Sequence, residues 1–177
     1  MHVIQYIATK ADSVDEAFRT VRSNLEAHLG SPDFPSDVWF DWFVPGGGRW
    51  STSDDPYNDK YTGDVAPQRD TRFQEYLDTA QRYYLESLGA VVEQCRKIDL
   101  PAMLDSIDMT KEGMSPNFML SLDIYPLKKL WDTVASTWGP DSYFFDMEND
   151  CTHAKYMREA IDKGDTNWYI VPVDFHF

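Results

Sequence analysis

The residues best suited to bind a ligand form the turn Gly46-Gly47-Gly48-Arg49-Trp50, directly after an aromatic segment. Three glycines permit positive φ angles, and such a turn can point successive N–H groups at one anion. Arg49 adds a planar fork that suits phosphate, and Trp50 adds a flat face for stacking. We therefore predict a phosphorylated ligand at a set of six residues: Trp42, Gly46, Gly47, Gly48, Arg49 and Trp50. The alternative is a tight turn in which Arg49 pairs with one of the chain's many carboxylates.

A second candidate lies in the last predicted strand, where Asp174 and His176 are two residues apart. Side chains alternate along a strand, so these two point to the same face. A carboxylate that orients an imidazole is what a general base requires. If the protein is an enzyme, Asp174 and His176 are the predicted catalytic pair; otherwise His176 is a strand-end residue bonded to solvent or backbone. No functional role is predicted for His2 or His28.

A third candidate is an acidic cluster that resembles a metal site. Its members are Asp146, Glu148, Asp150 and His153. In an extended segment the three acids would share a face, where a divalent cation such as Mg²⁺ or Ca²⁺ could neutralise them. The alternative is that the cluster arises by chance from the excess of acidic residues. No other cofactor is predicted.

The net charge limits the classes of partner. Thirty acidic residues against sixteen basic ones give a formal charge of −14. This field disfavours binding to bulk nucleic acid and to anionic membranes. It also permits an acidic face that imitates DNA. No apolar run approaches the ~20 residues of a membrane span, and Cys95 and Cys151 lie far apart, which predicts a reduced cytoplasmic protein.

The predicted elements run β-α-β, a helical middle, then β-α-β. Ser13 and Glu16 match a capping box, and apolar residues at helical spacing follow as far as Leu29. We predict one domain over residues 1–177, an α+β fold with ferredoxin-like β-α-β units and a helical insertion at about 69–138.

Two short segments resemble a group of small phage and prophage proteins. Residues 41–50, Asp-Trp-Phe-Val-Pro-Gly-Gly-Gly-Arg-Trp, resemble the group's Trp-Asp-Trp-Tyr-x-x-Gly-Gly-Arg-Trp stretch, apart from a third glycine. Residues 173–177, Val-Asp-Phe-His-Phe, match its Val-Asp-x-His-hydrophobic ending. The resemblance implies a phage-encoded protein that acts in the cytoplasm of a host bacterial cell, and it implies no particular activity.

Together these features predict a ligand-binding protein that captures a phosphorylated small molecule, such as a nucleotide messenger of host defence. The first alternative is a hydrolase of such a nucleotide, either metal-dependent or based on Asp174 and His176. The second is an acidic DNA mimic that inhibits a host defence protein. The sequence leaves open whether two chains share a pocket as a homo-oligomer.

Overall fold

A computed structural model describes residues 1–31, 34–35, 38–55, 57–99, 101, 125–135 and 138–177. The chain divides into two compact units. One comprises Met1–Tyr84 with Trp138–Phe177, and the other comprises Leu85–Thr137. Within the described ranges, no helix has the length and apolar character needed to cross a membrane.

The first unit contains a mixed five-stranded sheet. In chain order its strands are β1 (His2–Lys10), β4 (Trp42–Pro45), β5 (Ala66–Pro67), β6 (Phe144–Asp146) and β7 (Trp168–His176). The spatial order is β4-β7-β1-β6, and β5 also pairs with β7. Strand β1 is parallel to β6, whereas β7 is antiparallel to β1, β4 and β5. Two further short strands, β2 (Gly30–Ser31) and β3 (Phe34–Pro35), pair with each other.

The α+β class is confirmed by the sheet and by four α-helices among the described residues. These are α1 (Val14–His28), α2 (Thr71–Cys95), α3 (Tyr125–Val134) and α4 (Ala154–Asp162). The ferredoxin-like arrangement is not confirmed, because that arrangement would pair β4 with β6, and β4 pairs instead with β7. The predicted insertion is not confirmed either, since residues 102–124 lie outside the described residues.

The start of α1 shows how local sequence determines an element. The Ser13 side chain accepts a hydrogen bond from the Glu16 N–H at 3.2 Å, as the capping box predicts. The Glu16 carboxylate reaches back to the N–H of Asp12, at 2.7 Å, one residue earlier than the motif predicts. Both bonds satisfy N–H groups at the helix start.

Helices cover both faces of the sheet. Helix α1 packs on one face, over a core formed by Ile7, Ala17, Phe18, Val21, Leu25, Val171, Val173 and Phe175. Helices α2 and α4 contribute to the core on the other face, formed by Ile4, Tyr6, Ala8, Phe73, Leu77, Phe144, Met157 and Ile170. Asp174 alternates with Val173 and Phe175 along β7, so its side chain lies on the second face, toward the end of the strand.

Candidate functional site

Two histidines and a tryptophan meet where β1, β7 and β4 lie side by side. The strand register places His2 opposite His176, and Trp42 opposite His176 from the other side. The two imidazole rings are 4.9 Å apart in an edge-on arrangement. The Trp42 indole stacks on His176, with centroids 5.2 Å apart and ring planes 12° from parallel. The antiparallel pairing of the sheet therefore builds this cluster from three distant parts of the chain.

Each imidazole in this cluster is held by its own carboxylate. His2 Nδ1 lies 2.8 Å from Asp174 Oδ1, and His176 Nδ1 lies 2.6 Å from Asp41 Oδ1. The Asp174 side chain is fully buried, whereas the side chains of His2 and His176 are 13% and 33% exposed. We call His2, Asp41, Trp42, Asp174 and His176 the histidine-pair site.

The structure changes the partners predicted for Asp174 and His176. The two residues do share a face of β7, but they do not bond to each other: Asp174 bonds to His2 and His176 bonds to Asp41. His2 was predicted to have no functional role, and Asp41 was not among the predicted site residues. The pairing of β1 with β7 brings His2 next to His176, and the register of that pairing is what identifies His2 as a site residue.

The two carboxylates determine which imidazole nitrogen remains for a ligand. The hydrogen bond with His176 lowers the pKa of the Asp41 carboxyl below its usual value. An ionised carboxylate can only accept hydrogen bonds, so the proton of the paired ring lies on Nδ1. Within the described part of the chain, Nε2 of His2 and of His176 has no hydrogen-bond partner. Both rings thus offer Nε2 for chemistry.

The glycine turn lies against the same carboxylate. Gly46, Gly47 and Gly48 have φ angles of +86°, +95° and +50°, as the glycine triplet predicts. Two of the three N–H groups are used within the protein, because Gly46 and Gly47 both donate to the Pro172 carbonyl, at 2.9 and 2.8 Å. The backbone N–H of Arg49 donates to Asp174 Oδ2 at 3.2 Å. The anion held by this turn is therefore the protein's own Asp174.

Close packing gives a structural reason for two of the three glycines. A Cβ on Gly46 would lie 2.3 Å from the carbonyl oxygen of Tyr61. A Cβ on Gly48 would lie 2.3 Å from the Cβ of Asp174. Both distances are shorter than van der Waals contact allows. The turn therefore needs these glycines whether or not a ligand binds beside it.

The loop after the turn is anchored by a buried carboxylate that the sequence analysis did not single out. Asp64, only 3% exposed, accepts hydrogen bonds from the hydroxyl groups of Ser51 and Thr52, at 2.7 and 2.6 Å. It also accepts the Thr52 backbone N–H at 2.8 Å. These bonds fix the chain immediately after Trp50 and hold the turn in place.

The side chains of Arg49 and Trp50 remain available at the surface. Both are exposed, Trp50 by 48%. Arg22, Arg72, Arg96 and Arg158 each pair with a carboxylate. The Arg49 guanidinium has no carboxylate partner among the residues that the structure describes. Trp42, by contrast, has one face covered by His176, so Trp50 is the more open stacking surface.

The four residues of the acidic cluster have different surroundings in the structure. Asp146 accepts N–H bonds from Glu148 and Asn149 of its own turn, and burial raises the pKa of its carboxyl. Glu148 instead accepts the Thr9 hydroxyl, at 3.0 Å. His153 precedes α4, and burial lowers the pKa of its ring. Asp150 has a φ angle of +49° in the turn between them.

A search of the described residues finds no group of three or more His, Cys, Asp or Glu side chains that could hold a metal ion. Two of the cluster's carboxylates already have donors inside the protein: Asp146 accepts backbone N–H groups and Glu148 accepts the Thr9 hydroxyl.

The fold and the site define an α+β protein in which the end of the sheet where β1 begins and β7 ends carries two carboxylate-bound imidazoles beside an exposed arginine. Comparisons with protein families, with curated proteins and with solved structures find no match to the chain. The geometry of the histidine-pair site and of the adjacent turn therefore carries the function proposed below.

Proposed function

We propose that this protein binds a small phosphorylated molecule at the end of the sheet where the histidine-pair site and Arg49 lie. The observation that carries the proposal is the exposed Arg49 guanidinium, which has no carboxylate partner in the described part of a chain of charge −14. Acidic side chains outnumber basic ones, so an arginine without a carboxylate partner is available to an external anion. Its planar fork suits two phosphate oxygens at once.

The backbone brings Arg49 to the imidazoles. Its N–H donates to Asp174 Oδ2, and the other oxygen of this carboxylate faces the His2 ring. The Arg49 side chain therefore leaves the backbone next to the residue that holds His2. In this proposal the guanidinium extends toward the histidine-pair site, where a protonated ring would donate a further hydrogen bond from its Nε2–H to a phosphate oxygen.

The exposed indole of Trp50 supports a ligand of nucleotide type. Trp50 follows Arg49 and is 48% exposed, so its ring can receive a base. Stacking of a base on an aromatic side chain contributes about 1–3 kcal/mol. In the bacterial host cell that the phage resemblance implies, such binding would capture a nucleotide messenger of defence. The N–H groups of Gly46, Gly47 and Arg49 play no direct part, because the protein uses them itself.

The test is binding of a panel of cyclic mono-, di- and trinucleotides and ADP-ribose compounds, measured by ultrafiltration and mass spectrometry of both fractions. We expect at least one compound to be depleted from the filtrate. Arg49→Ala removes a charged hydrogen bond of about 1.5–3 kcal/mol, so binding should weaken about 10- to 150-fold. Arg49→Lys should restore part of the loss, because it keeps the charge but not the fork.

Arg69→Ala is the matched control. Arg69 is also exposed and without a carboxylate partner in the described part of the chain, but it lies beside the start of β7, far along the strand from Asp174. We expect this variant to bind like the wild type. Equal weakening by both substitutions would show a general charge effect and contradict the proposed site. Failure of every compound in the panel to bind would refute the proposal.

A further inference from the structure

The two imidazoles of the histidine-pair site have equivalent bonding. In each ring Nδ1 faces a carboxylate, at 2.8 Å in His2 and 2.6 Å in His176, and the rings are 4.9 Å apart. Both Nε2 atoms lack a hydrogen-bond partner within the described residues. A general base needs only one imidazole with one carboxylate to orient it. Two oriented rings in contact provide two proton-transfer groups at one place.

We propose that His2 and His176 form an acid–base pair that hydrolyses a phosphodiester bond of the bound ligand. This activity rests on the proposed phosphate binding beside Arg49. In the neutral ring Nε2 carries a lone pair and accepts a proton, whereas in the protonated ring Nε2–H donates one. The pair is active when one ring is neutral and the other is protonated.

The reaction is balanced without an oxidant or a reductant. One Nε2 takes a proton from water while the water oxygen bonds to phosphorus. The ester P–O bond breaks, and its electron pair leaves on the ester oxygen, which receives the proton from the other Nε2–H. The products are a phosphomonoester and an alcohol. Exchange with solvent then returns the two rings to their starting protonation states.

Asp174 and Asp41 are positioning residues in this mechanism. Asp174 is fully buried, and its two oxygens are held by the His2 ring and by the N–H of Arg49, so it has little freedom to move. Asp41 is 62% exposed, and the stacked Trp42 ring limits how far His176 can turn. Each carboxylate keeps the proton on Nδ1 and leaves Nε2 directed away from itself.

The experiment uses bis(4-nitrophenyl) phosphate, cyclic di-GMP and 3′,5′-cyclic AMP as probes, in buffer that contains EDTA. We expect conversion of at least one probe to its hydrolysis product, with a bell-shaped dependence of kcat/KM on pH. His2→Asn and His176→Asn keep a donor in the Nδ1 position and remove Nε2. Each should lower the rate about 10²- to 10⁴-fold and remove one limb of the pH profile.

Further variants separate mechanism from folding. His28→Asn, at the end of α1, should retain the wild-type rate. Asp41→Asn and Asp174→Asn should shift the limbs of the pH profile, which a purely structural role would not do. Circular dichroism and thermal unfolding of each variant confirm that it is folded. Ultrafiltration of the His2→Asn and His176→Asn variants measures binding of the probes separately from their conversion.

The outcomes distinguish the two proposals. Probes that are retained and recovered intact would overturn the acid–base pair and leave the binding site in place. Probes that are neither retained nor converted would overturn both. Conversion at an undiminished rate in either histidine variant, or conversion that occurs only when a divalent metal is added, would also overturn the acid–base pair.

Discussion

The substitution Gly48→Ala tests whether the glycine turn is required by the fold. Gly48 has a φ angle of +50°, and an added Cβ would lie 2.3 Å from the Cβ of the buried Asp174. The left-handed conformation costs a residue with a side chain about 1–2 kcal/mol. Relief of the clash adds about 1–3 kcal/mol, as overpacking does in protein cores. We therefore expect the free energy of unfolding to fall by roughly 2–5 kcal/mol.

Two other glycines separate the contributions. Gly164 has a φ angle of +94° with no atom within 4 Å of an added Cβ, so Gly164→Ala carries the backbone cost alone, about 1–2 kcal/mol. Gly89 lies inside α2, with nothing within 4 Å of an added Cβ. Gly89→Ala should stabilise the protein by about 0.5–1 kcal/mol. Urea unfolding followed by circular dichroism measures all three variants against the wild type.

The ranking of the variants decides the outcome. The loss at Gly48 should exceed the loss at Gly164, and Gly89 should show a gain. A Gly48→Ala variant no less stable than Gly164→Ala would mean that the turn does not pack on Asp174. The structural explanation of the glycine triplet would then be wrong, and direct contact with a ligand would again be the better explanation.

Two further predictions concern stability. Ser13→Ala removes the hydrogen bond that the Ser13 side chain accepts from the Glu16 N–H, and it should lower the free energy of unfolding by about 1 kcal/mol. The control is Thr20→Ala, at an exposed position of the same helix, which should cause no loss of stability. Urea unfolding measures both variants. Burial raises the pKa of Asp146 in the folded protein, so its stabilising contribution is complete below the unfolded pKa and is lost as pH rises through the folded pKa. The wild type should therefore lose stability relative to Asp146→Asn as the pH rises above about 4, the usual aspartate pKa. A difference that stays constant as the pH rises would contradict the buried environment.

Elements determined by neighbouring residues could be predicted from the sequence. The Ser13–Glu16 capping pattern and the apolar spacing of α1 need only contacts within a few residues. The helix and the Ser13 cap are confirmed, whereas the Glu16 carboxylate bonds to Asp12 and not to Ser13. The alternation that places Asp174 and His176 on one face of β7 is also local, and it is confirmed. The α+β class follows from the number and type of such elements.

Features that depend on pairing between distant segments could not be predicted. The sequence does not show that β4 pairs with β7 and not with β6, because aromatic residues suit either neighbour. It does not show that His2 faces Asp174, since these residues meet only through the β1–β7 register. The partner of Arg49's N–H was missed for the same reason, and an internal carboxylate took the place predicted for a ligand's anion.

The buried carboxylate of Asp174 connects the glycine turn to the histidines. Oδ1 faces the His2 ring and Oδ2 accepts the Arg49 N–H, while Gly48 packs against the Cβ of the same residue. A shift of the turn must therefore move the group that orients His2. The glycine triplet and the histidine pair are thus parts of one arrangement. In it the turn positions Arg49 and Asp174, and the side chains of Arg49 and the two histidines are what a ligand can contact.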